Sequence, residues 1–71
     1  MDIAPRVSAK LRELPDEPGV YQMKDKRGKI IYVGKALSLK NRVSTYFQAG
    51  AESDRRIRYL VRKIEDVDWI V

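Results

Sequence analysis

Tyr21, Tyr32 and Tyr46 are the titratable side chains whose spacing draws them together, and Lys35 and Arg42 are the cations beside them in the chain. The 71 residues include no histidine and no cysteine. That removes the commonest general base, the thiolate nucleophile, thiolate zinc sites and disulfides. Any acid–base step must use carboxylates, lysine or tyrosine. A phenol acts as a base near neutral pH only when a neighbouring positive charge lowers its pKa from an ordinary value of about 10. Lys35 follows Gly34 at once and is expected to return its ammonium toward Tyr32. Arg42 offers planar, paired donors suited to phosphate oxygens. Hydrolysis of a phosphodiester needs such a set: a base for water, a cation for the charge that grows on phosphorus, and usually a divalent metal. Packing tyrosines and ordinary surface cations have the same composition, so the residue types alone leave both readings open.

These groups depend on a hairpin. Gly19-Val20-Tyr21-Gln22-Met23-Lys24 and Lys29-Ile30-Ile31-Tyr32-Val33-Gly34 read as two strands. Asp25-Lys26-Arg27-Gly28 between them reads as the turn, with glycine last to take a positive φ. A four-residue loop sets Met23 opposite Ile30, Tyr21 opposite Tyr32, Val20 opposite Val33 and Gly19 opposite Gly34. Alternation then puts both tyrosines on one face, with Val20, Ile31 and Val33 on the other. Gly19 and Gly34 are expected to leave bare backbone beside the phenols for another molecule to approach. A slip of one residue would scatter this arrangement.

Ahead of the hairpin, Ile3, Val7, Leu11 and Leu14 recur at helical spacing and predict a helix over 3–14, ended by Pro15. Pro15-Asp16-Glu17-Pro18 cannot continue a helix and leads into the first strand. After a short connection, Lys35-Ala36-Leu37, Ser38 is the predicted N-cap of a helix from Leu39 to about Gln48. Leu39, Val43 and Phe47 should face the core, with Arg42 and Tyr46 in an adjacent row. Ala49-Gly50-Ala51 ends it. Asp54 or Ser53 caps another helix with Ile57, Leu60, Val61 and Ile64 as its apolar stripe. Its other faces carry Arg55, Arg56, Arg58, Arg62 and Lys63, a solvated surface or a binding one. Val67, Trp69 and Val71 alternate as a third strand. The order is helix, strand, strand, helix, helix, strand, which predicts an α+β domain with a small sheet covered by helices. Periodicity does not choose the neighbour of the third strand.

Fifteen Lys+Arg against ten Asp+Glu give a net charge of +5. That balance favours a polyanionic partner. Apolar runs are only a few residues long, so no membrane span or signal peptide is expected, and the cytoplasm is the default setting.

Gly19-Val20-Tyr21, ten residues, then Tyr32-Val33-Gly34 resembles the signature of the GIY-YIG nucleases. The surrounding string is more specific. Leu14-Pro15-Asp16-Glu17-Pro18 before it, Ile31 through Ala36, Ser38-Leu39-Lys40-Asn41-Arg42 and Ser44-Thr45-Tyr46-Phe47 are similar to the UvrC and Cho branch of that family, the incision enzymes of bacterial nucleotide excision repair. The lysine after the second glycine points to this branch over the homing endonucleases.

The resemblance implies a three-stranded antiparallel sheet flanked by helices and a metal-dependent DNA endonuclease that cuts 3′ to a lesion. By matching positions, Tyr32 is the implied general base, Lys35 the lysine beside it and Arg42 the arginine that stabilises phosphate charge. Tyr21 and Tyr46 are the implied positioning tyrosines. Gly19, Gly34, Lys35, Lys40, Arg42, Arg55 and Arg56 are the expected DNA contacts. DNA, and a UvrB–DNA complex, are the implied partners. The family holds one magnesium or manganese ion with a glutamate on a helix after the third strand. Residues 1–71 are therefore expected to form a single domain of this type that stops short of its metal ligand and does not cut DNA alone. Glu52, Glu65 and Asp66 are not expected to substitute. A basic nucleic-acid-binding module without catalysis is the competing reading.

Overall fold

The computed structural model describes residues 3–48 and 50–71, with Glu52 described by its backbone only. The elements run α1 (Pro5–Leu11), β1 (Gly19–Lys24), β2 (Ile30–Ala36), α2 (Leu39–Thr45), a 3₁₀ turn (Ala51–Ser53), α3 (Arg55–Val61) and β3 (Asp66–Ile70). Helices and sheet are thus those of the expected α+β domain. The sheet order is β2-β1-β3, and both pairings are antiparallel. β1 is therefore central, which answers the question that periodicity left open.

α1 is shorter than the 3–14 span predicted. Pro5 occupies its first turn, where a missing N–H costs nothing. At the other end Pro15 disfavours a helical conformation at Leu14, so Leu14 enters the core from beyond the helix.

The hairpin differs from the expected register in two places. Asp25 N–H donates to the Lys29 carbonyl at 2.9 Å, and Gly28 N–H to the Asp25 carbonyl at 3.0 Å. The Asp25 carboxylate also accepts from Arg27 N–H at 2.9 Å and Lys29 N–H at 3.0 Å. With Gly28 at φ 80°, these bonds close the turn around residues 26–28, one residue tighter than a four-residue loop. Lys24 accordingly pairs with Ile30. A bulge at Ile31 then adds a second one-residue shift, so Met23 pairs with Tyr32, Gln22 with Val33, Tyr21 with Gly34, Val20 with Lys35 and Gly19 with Ala36. Two single shifts restore the parity. Tyr21 and Tyr32 therefore share a face as diagonal rather than direct neighbours. Ile31, expected on the opposite face, packs against the core. Lys35 and Ala36 belong to β2 and not to a connection.

The core is Val7, Leu14, Tyr21, Met23, Leu39, Val43, Tyr46, Val61, Ile64 and Val67. Phe47, Ile57, Leu60 and Trp69 pack at its margin, whereas Val71 is exposed. α2 ends at Thr45, three residues before the predicted limit; the expected stop at Ala49 lies outside the described residues.

The Pro15–Pro18 segment anchors α2. Leu39 N–H donates to the Glu17 carbonyl at 2.9 Å and Lys40 N–H to the Pro15 carbonyl at 3.0 Å. Ser38 Oγ accepts from Asn41 N–H at 3.2 Å and donates to Asp16 Oδ1 at 2.5 Å. The first donors of the helix, which have no partner within it, are thus satisfied by the loop and the predicted cap. α2 is pinned beside the start of β1, and Arg42 and Tyr46 with it.

Candidate active site

β1 supplies Tyr21, β2 supplies Tyr32, and Tyr46 is the C-cap residue of α2. Their rings form a near-equilateral triangle, with centroids 6.1 Å apart for Tyr21–Tyr32, 6.1 Å for Tyr21–Tyr46 and 6.3 Å for Tyr32–Tyr46. Tilted and edge-on geometries of this kind suit the ring quadrupoles. The three phenols expected to share one surface do meet.

They are not equivalent. Tyr21 is 1% exposed and Tyr46 7%, and their hydroxyls form a buried hydrogen bond of 3.0 Å. Tyr32 is 40% exposed. Burial pushes the Tyr46 phenol well above its ordinary value, and hydrogen bonding to Tyr21 pushes it further. Tyr46 is therefore held neutral. Tyr32 is the phenol of the three that solvent reaches.

Arg42 sits one helical turn before Tyr46, its guanidinium carbon 5.8 Å from the Tyr46 ring centroid. Hydrogen bonding to Tyr21 first, then charge interaction with Tyr46, raises its already high pKa. It is exposed and permanently charged. Between α2 and α3 lies an open cleft of about 490 Å³ lined by Tyr32, Arg42, Thr45, Tyr46, Asp54, Arg56, Ile57 and Leu60. α3 begins at the expected cap, Asp54, whose carboxylate accepts from Arg56 N–H at 2.9 Å.

Three expectations need correction. Lys35 pairs with Val20, so strand alternation turns it to the face opposite Gly34 and the tyrosines, and it does not line the cleft. Arg42 is the cation among the phenols instead. Gly34 is not bare backbone open to a ligand, because a Cβ there would collide with the Tyr21 ring. Gly19 is likewise covered, by the Ile70 carbonyl, a Leu39 methyl and the Val71 backbone. Both glycines make room for the chain itself. Lys40 and Arg55 are exposed but outside the cleft, and Arg56 is on its rim. Thr45, Asp54, Ile57 and Leu60 were not singled out as site residues. The only local signal for Thr45 was its place one turn after Arg42.

The described residues do not by themselves make a metal site. Among them no three histidine, cysteine, aspartate or glutamate side chains cluster. Among the described residues Asp54 is the only acid lining the cleft, and it is engaged as a helix cap. A magnesium ion needs several carboxylate or water oxygens in octahedral array. Glu65 and Asp66 follow α3 near the Lys24 end of the hairpin, where Glu65 N–H donates to the Lys24 carbonyl at 2.8 Å. The Glu52 side chain lies outside the described residues.

Comparison with known proteins agrees with this geometry. The model of the UvrC-like GIY-YIG domain matches residues 17–71. UvrABC system protein C of Thermoanaerobacter sp. (strain X514) is 51% identical over 65 residues, covering 92% of this chain and 11% of the relative. The protein of the same name from Caldicellulosiruptor saccharolyticus is 53% identical over 62 residues, covering 87% of this chain and 10% of the relative. The chain thus spans about a tenth of the length of these relatives. The crystal structure of the GIY-YIG N-terminal endonuclease domain of UvrC from Thermotoga maritima, bound to its catalytic divalent cation, magnesium, superimposes with a TM-score of 0.81 at 30% identity, covering 97% of this chain and 73% of that one. Among the described residues no helix is long and apolar enough to cross a membrane. With the tyrosine pair of the signature in place on β1 and β2 and Arg42 and Tyr46 on α2, the chain belongs to the UvrC-like GIY-YIG domain family.

Proposed function

We propose that this chain forms the catalytic face of a DNA endonuclease domain that hydrolyses a phosphodiester 3′ to a lesion during nucleotide excision repair. The observation that carries this reading is the convergence of an exposed phenol, Tyr32, the buried phenol Tyr46 backed by Tyr21, and the exposed guanidinium of Arg42 at one cleft. Arg42 binds two phosphate oxygens and stabilises the charge that grows on them in the transition state. Tyr32 holds the attacking water or takes its proton. Tyr46, neutral and fixed by Tyr21, donates to the phosphate or the water. Lys40, Arg55 and Arg56 contact the backbone on either side, which sets position rather than sequence. The magnesium or manganese of such a domain takes ligands from outside the described residues. The longer protein works in the cytoplasm on DNA already held by UvrB.

The test is a chimera. The chain replaces the matching segment of the Thermoanaerobacter UvrABC system protein C, and incision of a lesion-bearing duplex is measured with its partner proteins. Incision is expected, and Arg42→Ala in the chimera should slow the 3′ cut by roughly a hundredfold to a thousandfold. A chimera that binds DNA normally but never makes the 3′ cut would favour a non-catalytic nucleic-acid-binding module.

A further inference from the structure

The cleft between α2 and α3 is chemically two-ended. At one end Arg42 and the hydroxyl-bearing rims of Tyr32 and Tyr46 present positive charge and donors, with no acid among them. At the other, Ile57 and Leu60 present aliphatic surface from α3. Both are only partly buried, although they lie on the stripe that packs against the core. Asp54 stands at this second end, its carboxylate accepting from Arg56 N–H at 2.9 Å, with Arg56 Nε 4.0 Å away. The Arg56 side chain is 95% exposed and free to fold over the opening. A phosphate alone would use the first end and leave the apolar one empty. A paired base cannot reach the apolar end, because both its faces are occupied within the duplex stack.

We infer that this cleft takes one unpaired nucleotide, with its phosphate on Arg42 and its base against Ile57 and Leu60. The inference rests on the reading of Arg42 as a phosphate ligand and adds the state of the DNA: unstacked, single-stranded at the nucleotide beside the bond to be cut. A cleft of about 490 Å³ falls within the range of small-molecule sites and holds a nucleotide with room for water. Aliphatic side chains accept the face of any base without reading its edge, so this end selects for an unpaired state and not for a sequence. Arg56 then closes over the base or contacts the next phosphate.

The experiment uses the 71-residue chain and two probes, deoxyadenosine 5′-monophosphate and deoxyribose 5-phosphate, followed by NMR. With the nucleotide, the Arg42 Nε–H signal and the Ile57 and Leu60 methyl signals are expected to move together, the methyls by the ring current of the base. With the sugar phosphate, only Arg42 should respond, and binding should be at least about fivefold weaker. In Ile57→Ala, shown folded by circular dichroism, that preference should shrink while sugar-phosphate binding is kept. Equal affinity for both probes with unmoved methyls would overturn the inference and leave the phosphate reading standing. An Arg42 signal indifferent to both probes would remove the phosphate reading and the inference with it.

Discussion

The hydroxyls of Tyr21 and Tyr46 lie 3.0 Å apart in the core, each the polar partner of the other. Tyr21→Phe and Tyr46→Phe are each expected to destabilise the fold by about 1 kcal/mol, since either change removes the buried bond between the two hydroxyls. The double variant should lose less than the sum, because both single changes remove the same bond. Urea unfolding of the four proteins measures this. Additive losses would show that the two hydroxyls do not depend on each other.

Gly34 is the next test, because its missing side chain is where the Tyr21 ring lies. Gly34→Ala should destabilise by about 1–3 kcal/mol through overpacking, and the near-ultraviolet tyrosine signal should change. An alanine variant with unchanged stability and unchanged spectrum would contradict that packing.

Arg42 acts by shape as well as charge. Arg42→Ala is expected to cost no more than about 1 kcal/mol of stability, the worth of its bond to Tyr21. It should lower DNA affinity and reduce the slope of log affinity against log salt by about one. Arg42→Lys should restore the salt slope without restoring incision in the chimera, since an ammonium cannot offer the planar pair of donors. Incision rescued by lysine would reduce the role of Arg42 to point charge.

Asp68 ties the sheet to α1. Its carboxylate accepts from Lys10 at 2.7 Å and Lys24 at 2.6 Å, and Lys10 also reaches Asp66 at 2.8 Å. The bond from Lys10 first, then that from Lys24, holds Asp68 below its ordinary carboxylate value. Below about pH 4 the unfolded chain therefore takes up this proton more readily than the folded one. The contribution is complete above that pH and is lost as pH falls through the lower, folded value. Thermal melts from pH 6 to pH 2 should show an acid limb that is shallower in Asp68→Asn. Identical limbs would mean the network adds nothing, as exposed ion pairs sometimes do.

Magnesium should leave this chain unchanged. With no acidic cluster among the described residues and Arg42 beside the phenols, titration with the ion is expected to move no Tyr32 resonance, and DNA should stay uncut. Metal-dependent cleavage by the purified chain would show that a carboxylate such as Glu65 completes the site.

Local chemistry in the sequence was sufficient for the order of the elements and for several of the residues that meet beside the cleft. Ser38 and Asp54 cap the helices they precede, Pro15 and Pro18 separate α1 from β1, and Gly28 takes the positive φ of the turn. Each of these depends on a residue and its immediate neighbours. The family signature likewise lies in short strings, and it named Tyr21, Tyr32, Arg42 and Tyr46, which the fold brings together. Relations between distant segments were decided elsewhere. β1 became the central strand because it carries Tyr21 and Met23 into the core between Tyr32 and Gly34 of β2 and Val67 and Trp69 of β3. The Asp25 turn and the Ile31 bulge each moved the register by one residue, and only their sum kept the tyrosines on one face while sending Lys35 to the other. The same packing made two phenols interior and one accessible, and filled the space beside Gly19 and Gly34 with the protein itself. Residue type sets what a side chain can do; which solvent, partner and charge it meets is set by segments far away in the chain, and that only the tertiary structure decided.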